Sequence, residues 1–167
     1  MRTRALLLTL PLLFAACGAE APTPESLTDA GIQALNSGKY EAARAEFDRA
    51  LALIAGDATH PRFKASTLGA IEAEVHLNPE KAEREFQRLR KMHPGQVRDR
   101  DYSQVATLLA SVRAYPEAIR VLDLGVKSHP DSELIRTHLA SIKKEMEESG
   151  NMAGLAELEG LGYLGER

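Results

Sequence analysis

The sequence predicts an all-α fold: helix–turn–helix units stacked side by side as a short right-handed α-solenoid, about three units followed by a C-terminal capping helix. Three observations carry this. First, one phrase recurs: Ala82, Phe86, Leu89 and Pro94 return as Ala118, Leu122, Gly125 and Pro130, and Ala43, Phe47 and Ala50 form an earlier copy without the proline. Second, Ala43 and Ala82 are 39 residues apart and Ala82 and Ala118 are 36 apart, a spacing that suits stacked helical pairs. Third, apolar residues recur at helical spacing between Gly, Pro and Asn breaks, and no strand run is evident.

The elements follow in order. Ser26-Leu27-Thr28-Asp29 reads as a capping-box variant opening a helix from about Leu27 to Asn36, stopped at Ser37-Gly38. A second helix runs from Tyr40 to Ile54, with Ala43, Phe47, Ala50, Leu51 and Ile54 at helical spacing. Pro61 suits the first turn of a third helix, which runs to about Leu77. Asn78-Pro79 restarts the chain as N-cap and first helical residue of a fourth helix, which halts at His93-Pro94-Gly95. A fifth helix spans about Asp99 to Val112, with Tyr102, Val105, Ala106 and Leu109 on one stripe. The sixth starts at Pro116 and ends at His129-Pro130, the seventh runs from about Asp131 to Glu148, and a short eighth covers about Met152 to Glu159.

The bulk numbers narrow the function classes. The chain has 167 residues, 44% hydrophobic and 27% charged, with a net charge of −3. No basic field exists to attract nucleic acid. A single cysteine, Cys17, excludes an intrachain disulfide. Arg2 and Arg4 precede an apolar stretch from Ala5 to Ala16, with small residues before Cys17. This is the pattern of a secretory leader, too short for a comfortable membrane span. Its loss would take 21 basic residues to 19 against 24 acidic ones, a net charge of about −5.

With a cysteine at the cleavage point, residues 1–16 resemble a bacterial lipoprotein signal peptide. The resemblance implies lipidation of Cys17, removal of the leader and acylation of the new amino terminus. Several acyl chains anchor stably where one does not. Gly18 after the cysteine implies, by resemblance to enterobacterial sorting, the outer membrane with the protein facing the periplasm. The alternative is a standard leader cut after Ala16 or Ala19, with Cys17 incidental. Residues 17–25 read as the lipidated cysteine and a flexible tether.

Residues 26–150 resemble the tetratricopeptide repeat, a helical hairpin of about 34 residues. The matching positions are Gly31, Ala43, Phe47 and Ala50 in the first unit, and Ala70, Ala82, Phe86 and Leu89 in the second. In the third they are Ala106, Ala118, Leu122 and Gly125. These are packing positions: small residues let helices approach and the bulky one fills the gap. Residues 151–167 read as a short capping helix and tail.

The resemblance also implies a partner-binding groove lined by the first helix of each pair. Its positions are Ile32, Leu35 and Asn36 in the first unit; Lys64, Thr67, Ile71 and Glu74 in the second; and Arg100, Ser103, Thr107 and Ser111 in the third. The implied function is a membrane-anchored scaffold or adaptor that holds a protein or peptide of the bacterial cell envelope. The alternatives are a structural spacer, an accessory subunit of an envelope complex, or a small-molecule-binding protein.

No residues point to catalysis: there is no nucleophile elbow, phosphate-binding glycine loop or HExxH. His60-Pro61, His93-Pro94 and His129-Pro130 read as three second-helix ends, where histidine suits the helix dipole and proline blocks continuation. No metal and no cofactor is expected. The acidic runs Glu80 to Glu85 and Glu145 to Glu148 read as solvated faces with pairs such as Glu80–Arg84. The anchor is directly testable. Cys17→Ser is expected to lose the lipid mass and move from the membrane to the soluble fraction. A variant that stays membrane-bound at unchanged mass overturns it.

Overall fold

A computed structural model describes residues 21–163. Cys17 and the leader lie outside the described residues. Within them the chain forms α1 (Pro24–Asn36), α2 (Tyr40–Ile54), α3 (Phe63–Leu77), α4 (Pro79–Met92), a 3-10 turn (Pro94–Gln96), α5 (Asp99–Ser111), α6 (Tyr115–Ser128), α7 (Glu133–Ser149) and α8 (Met152–Gly160). No strand is present among the described residues.

Local chemistry sets these boundaries. α1 begins three residues before the expected Leu27, because the capping box is formed by Thr23 and Ser26. The Ser26 N–H donates to Thr23 Oγ1 at 3.2 Å, and the Thr23 N–H donates to Ser26 Oγ at 3.0 Å. Asn78 caps α4 as expected, accepting from the Lys81 N–H at 3.0 Å. Asn151 caps α8, accepting from the Gly154 N–H at 2.8 Å. His93 and His129 are the C-caps of α4 and α6. His60 is not at a helix end. α2 stops earlier, at left-handed Ala55, and His60 sits in the following connection, its Nδ1 accepting from the Arg62 N–H at 3.1 Å. α3 therefore begins at Phe63, past Pro61.

The helices pack in chain order. Each first helix lies against its own second helix, and α1, α3, α5 and α7 lie side by side. α4, α6 and α8 form a parallel row behind them. This is an α-solenoid of helical pairs, in which units contact only their neighbours. Every residue assigned above to repeat packing is buried.

Two joints define the stack. The Phe47 ring of α2 is held between Gly31 of α1 and Gly69 of α3. A Cβ at Gly31 would stand 2.7 Å from Phe47 Cε1, and one at Gly69 would collide with the ring on its other side. The second joint is Tyr102 of α5. Its ring meets Phe86 edge-on, 5.2 Å between centroids. Its hydroxyl donates to Ser128 at 3.1 Å, and a Cβ at Gly125 would stand 3.1 Å from its own Cβ.

Charged side chains tie the units together, and here the acidic run on α4 departs from a solvated face. Glu80–Arg84 is an exposed pair at 3.7 Å, as expected, but Glu83 is buried. Arg120 of α6 bonds Glu83 at 2.8 Å, Glu117 at 2.7 Å and Glu157 of α8 at 3.3 Å. Arg44 of α2 bonds Glu74 of α3 at 2.6 Å, Glu85 of α4 at 2.7 Å and its own helix's Asp48 at 2.9 Å. Both guanidiniums are held more firmly protonated than usual. For Arg120 the Glu83 hydrogen bond is the main cause. For Arg44 burial opposes the charge, and the bonds to Glu85 and Asp48 outweigh it.

The glycine joint gives a stability prediction. Gly69→Ala drives a methyl into the Phe47 ring, with an expected loss of about 1–3 kcal/mol in urea unfolding. Combined with Phe47→Leu, the second change is expected to cost less than Phe47→Leu costs alone. Strict additivity of the two would rule out the contact.

Candidate functional site

The groove positions carried over by resemblance do not all reach the surface. Ile71, Glu74 and Ser103 are buried, at 1%, 3% and 2% exposure, so no partner can touch them in this conformation. Ile71 belongs to the core, and Glu74 accepts from Arg44 and from Lys81. Lys64 is half-buried and bonded to Asp101 of α5 at 2.6 Å. Thr67 turns toward the space between α2 and α4. The exposed side of α3 carries Ala65, with half-buried Leu68, Glu72 and His76 beside it; His76 stacks on Tyr40 at 3.8 Å. Burial raises the Glu72 carboxyl, and His76 opposes the shift. Ile32, Asn36 and Arg100 are exposed and Leu35 is half-buried, but they line none of the depressions described here.

Thr107 and Ser111 come together with α7 residues outside the implied groove positions, among them Glu145 of the run read as a solvated face. They line a depression of about 340 Å³ between α5 and α7, closed on the other side by His138, Ser141, Ile142 and Glu145. Through Ser111 and Glu145 it continues into a second depression of about 520 Å³. That one is rimmed by Arg113, Tyr115, Ser149 and Asn151. Ala110 floors both.

The helices fix these groups. Ile135, Leu139, Ile142 and Met146 bury one stripe of α7, which turns the neighbouring His138, Ser141 and Glu145 toward α5. Thr107 Oγ1 donates to the Ser103 carbonyl at 2.8 Å and Ser111 Oγ to the Leu108 carbonyl at 2.6 Å. Their lone pairs remain to accept. Glu145 accepts from the Tyr115 hydroxyl at 2.6 Å. His138 Nδ1 is buried with no protein partner, a polar atom that a ligand or water must satisfy.

Arg113 is the unexpected member. It has left-handed backbone, φ 63°, a conformation that costs a non-glycine residue about 1–2 kcal/mol. The turn repeats the one in the first unit. There Gly38, φ 69°, donates to Leu35, and Lys39 donates back to Ala34. Here Arg113 donates to Ala110 and Ala114 donates to Leu109. A glycine's place is thus held by an exposed arginine at the groove's rim. Aligning the two turns would have exposed this; periodicity alone could not.

Among the described residues no cluster of His, Cys, Asp and Glu could hold a metal ion, and no helix is long and apolar enough to cross a membrane. Compared with protein-family models and with curated proteins, the chain matches none.

The Tyr115–Glu145 bond gives the groove wall a pH dependence. The hydrogen bond to Glu145, with burial behind it, raises the Tyr115 phenol above its ordinary 10.0. A raised folded-state value means stability that is complete below 10.0 and lost as pH rises through the shifted value. Wild type is therefore expected to melt above Tyr115→Phe at neutral pH, with the gap closing above pH 10.0. A gap that persists would rule the bond out as its source.

Proposed function

We propose that this chain is a lipid-anchored adaptor of the bacterial envelope. It faces the periplasm, belongs to the tetratricopeptide-repeat class, and holds a segment of a protein partner in the groove between α5 and α7. The single observation that carries the reading is the turn at Arg113. A strained arginine stands where the equivalent turn uses glycine, and strain of this kind concentrates where function needs it. Its guanidinium has no carboxylate partner among the described residues. It overhangs a groove in which the Glu145 carboxylate accepts and His138 Nδ1 has no protein partner.

Other features support the same reading. A stack that contacts only its neighbours leaves an extended surface suited to binding. The groove's polar groups are spread along two helices rather than converging as a catalytic set. Cys17 at the end of an apolar leader would tether the stack to a lipid surface, with a spacer shorter than the expected 17–25, since Thr23 caps α1 and Pro24 and Glu25 are helical.

The test uses a photoreactive residue at Ser111 or Ser141, with the same residue at exposed Ala45 of α2 as control. The expected result is a discrete adduct in envelopes from the groove positions only. Arg113→Gly is expected to diminish that adduct while keeping or raising stability, since the relief of about 1–2 kcal/mol exceeds glycine's entropic cost. Identical labelling from groove and control, or undiminished labelling with Arg113→Gly, overturns the assignment.

A further inference from the structure

The row of second helices has a gap. α4 packs on α6 and α6 on α8, but α2 and α4 do not close in the same way. The connection between α2 and α3, Ala55 to Arg62, is the longest between described helices. It opens with left-handed Ala55 and Gly56. The result is a cavity of about 300 Å³ between α2 and α4, floored by α3. This lies at the small end of ligand-site volumes.

The lining is apolar: Leu51 from α2, Phe63 and Ile71 from α3, and Leu89 and Met92 from α4. The polar groups divide between two ends. At one end Arg44 crosses from α2 to Glu85 of α4 at 2.7 and 3.0 Å and holds Asp48 at 2.9 Å. Here one guanidinium faces two carboxylates, so this end keeps a negative excess that disfavours an anionic head. Near the other end, around Met92 and His93, stands Arg88. Its polar contact among the described residues is the Met92 sulfur, at 3.4 Å. Sulfur is a weak acceptor, and no carboxylate is paired with this guanidinium among the described residues. His93 is turned edge-on to Phe63, 5.0 Å between ring centroids.

The walls also say what does not fit. The three helices satisfy their own backbone amides and carbonyls, and the Thr67 hydroxyl already donates to the Phe63 carbonyl at 2.8 Å. Apart from the Thr67 lone pairs, the side chains of the apolar walls offer a peptide's buried amides no partner. A hydrocarbon tail carrying one anionic head has no such mismatch. Its tail replaces water chiefly against half-buried Leu51 and exposed Met92, over a floor of buried Phe63, Ile71 and Leu89, and its head meets the one lining guanidinium that lacks a counter-ion.

We propose that this cleft is a binding site for a medium-chain carboxylate, with the tail between α2 and α4 and the head on Arg88. The site is separate from the groove between α5 and α7 and stands independently of the function assigned to that groove.

Titration of the full chain with decanoate below its micelle concentration, read by calorimetry and by the NMR shifts of the Ile71 methyls, is expected to saturate at one molecule per chain. Arg88→Gln, a change at an exposed residue, is expected to weaken decanoate about tenfold while leaving decanol binding unchanged. Thr67→Phe, which fills the floor, is expected to abolish both, with circular dichroism checking its fold. The comparison at Arg88 holds whether or not Thr67→Phe folds. Absence of saturable binding by wild type overturns the proposal. So does Arg88→Gln binding decanoate as wild type does, or a leucine-terminated peptide shifting the Ile71 methyls where decanoate does not.

Discussion

The close approach of helices at two ring-filled joints is the constraint on which the stack rests. Phe47 makes it visible. Its ring occupies the space that Gly31 and Gly69 vacate, one glycine from its own unit and one from the next. Without that clearance α3 could not lie against α2, and the following pairs would lose their register. The second joint solves the same problem with different residues: Tyr102 enters beside Gly125 and meets Phe86 edge-on. Small residues set the separation, and one large ring fills what remains. The joints are apolar, and their order along the chain becomes the order of the stack.

The ion clusters act on this frame from outside. Arg44 gathers carboxylates from α2, α3 and α4, and Arg120 gathers them from α4, α6 and α8. Glu83 and Glu74 are buried at these junctions. Removing Arg120 would leave desolvated Glu83 without its cation, which costs more than the pair itself contributes, whereas without Arg44 Glu74 would keep Lys81. The clusters therefore specify which helices meet more than they add net stability. They also make the two halves of the second-helix row differ. Around Arg120 the helices touch. Around Arg44 the arginine bridges an opening.

Helix positions were legible in the sequence because their signals are local. Asn78-Pro79 starts α4 and Ser37-Gly38 stops α1 through groups no more than a few residues apart. The packing face was legible too, since Ala82, Phe86 and Leu89 repeat at helical spacing. The surface was not. α3 carries apolar residues around most of its circumference, Phe63, Leu68, Ile71 and Val75 among them, so no polar stripe marks its outward side. Glu74 reads as a surface residue until Arg44, distant in the chain, is placed beside it. His60-Pro61 reads as a helix end until Ala55 is seen to have ended the helix already. Gly69 was hidden by its neighbour Ala70, and both face Phe47.

Contact between neighbours alone has a further consequence. The main apolar cluster runs from Ile54 to Leu158, but it is assembled from successive interfaces between neighbours, with a smaller cluster around Phe47 beside it. α1 is held by α2 and α3, and α8 by α6 and α7, so either end can peel away while the middle stays folded. Cooperativity here is a property of adjacent interfaces. Amide protection should grade from the termini toward α5, with the Tyr102 joint as the last to open. The chain behaves less like a particle that melts than like a short strip whose ends come loose first.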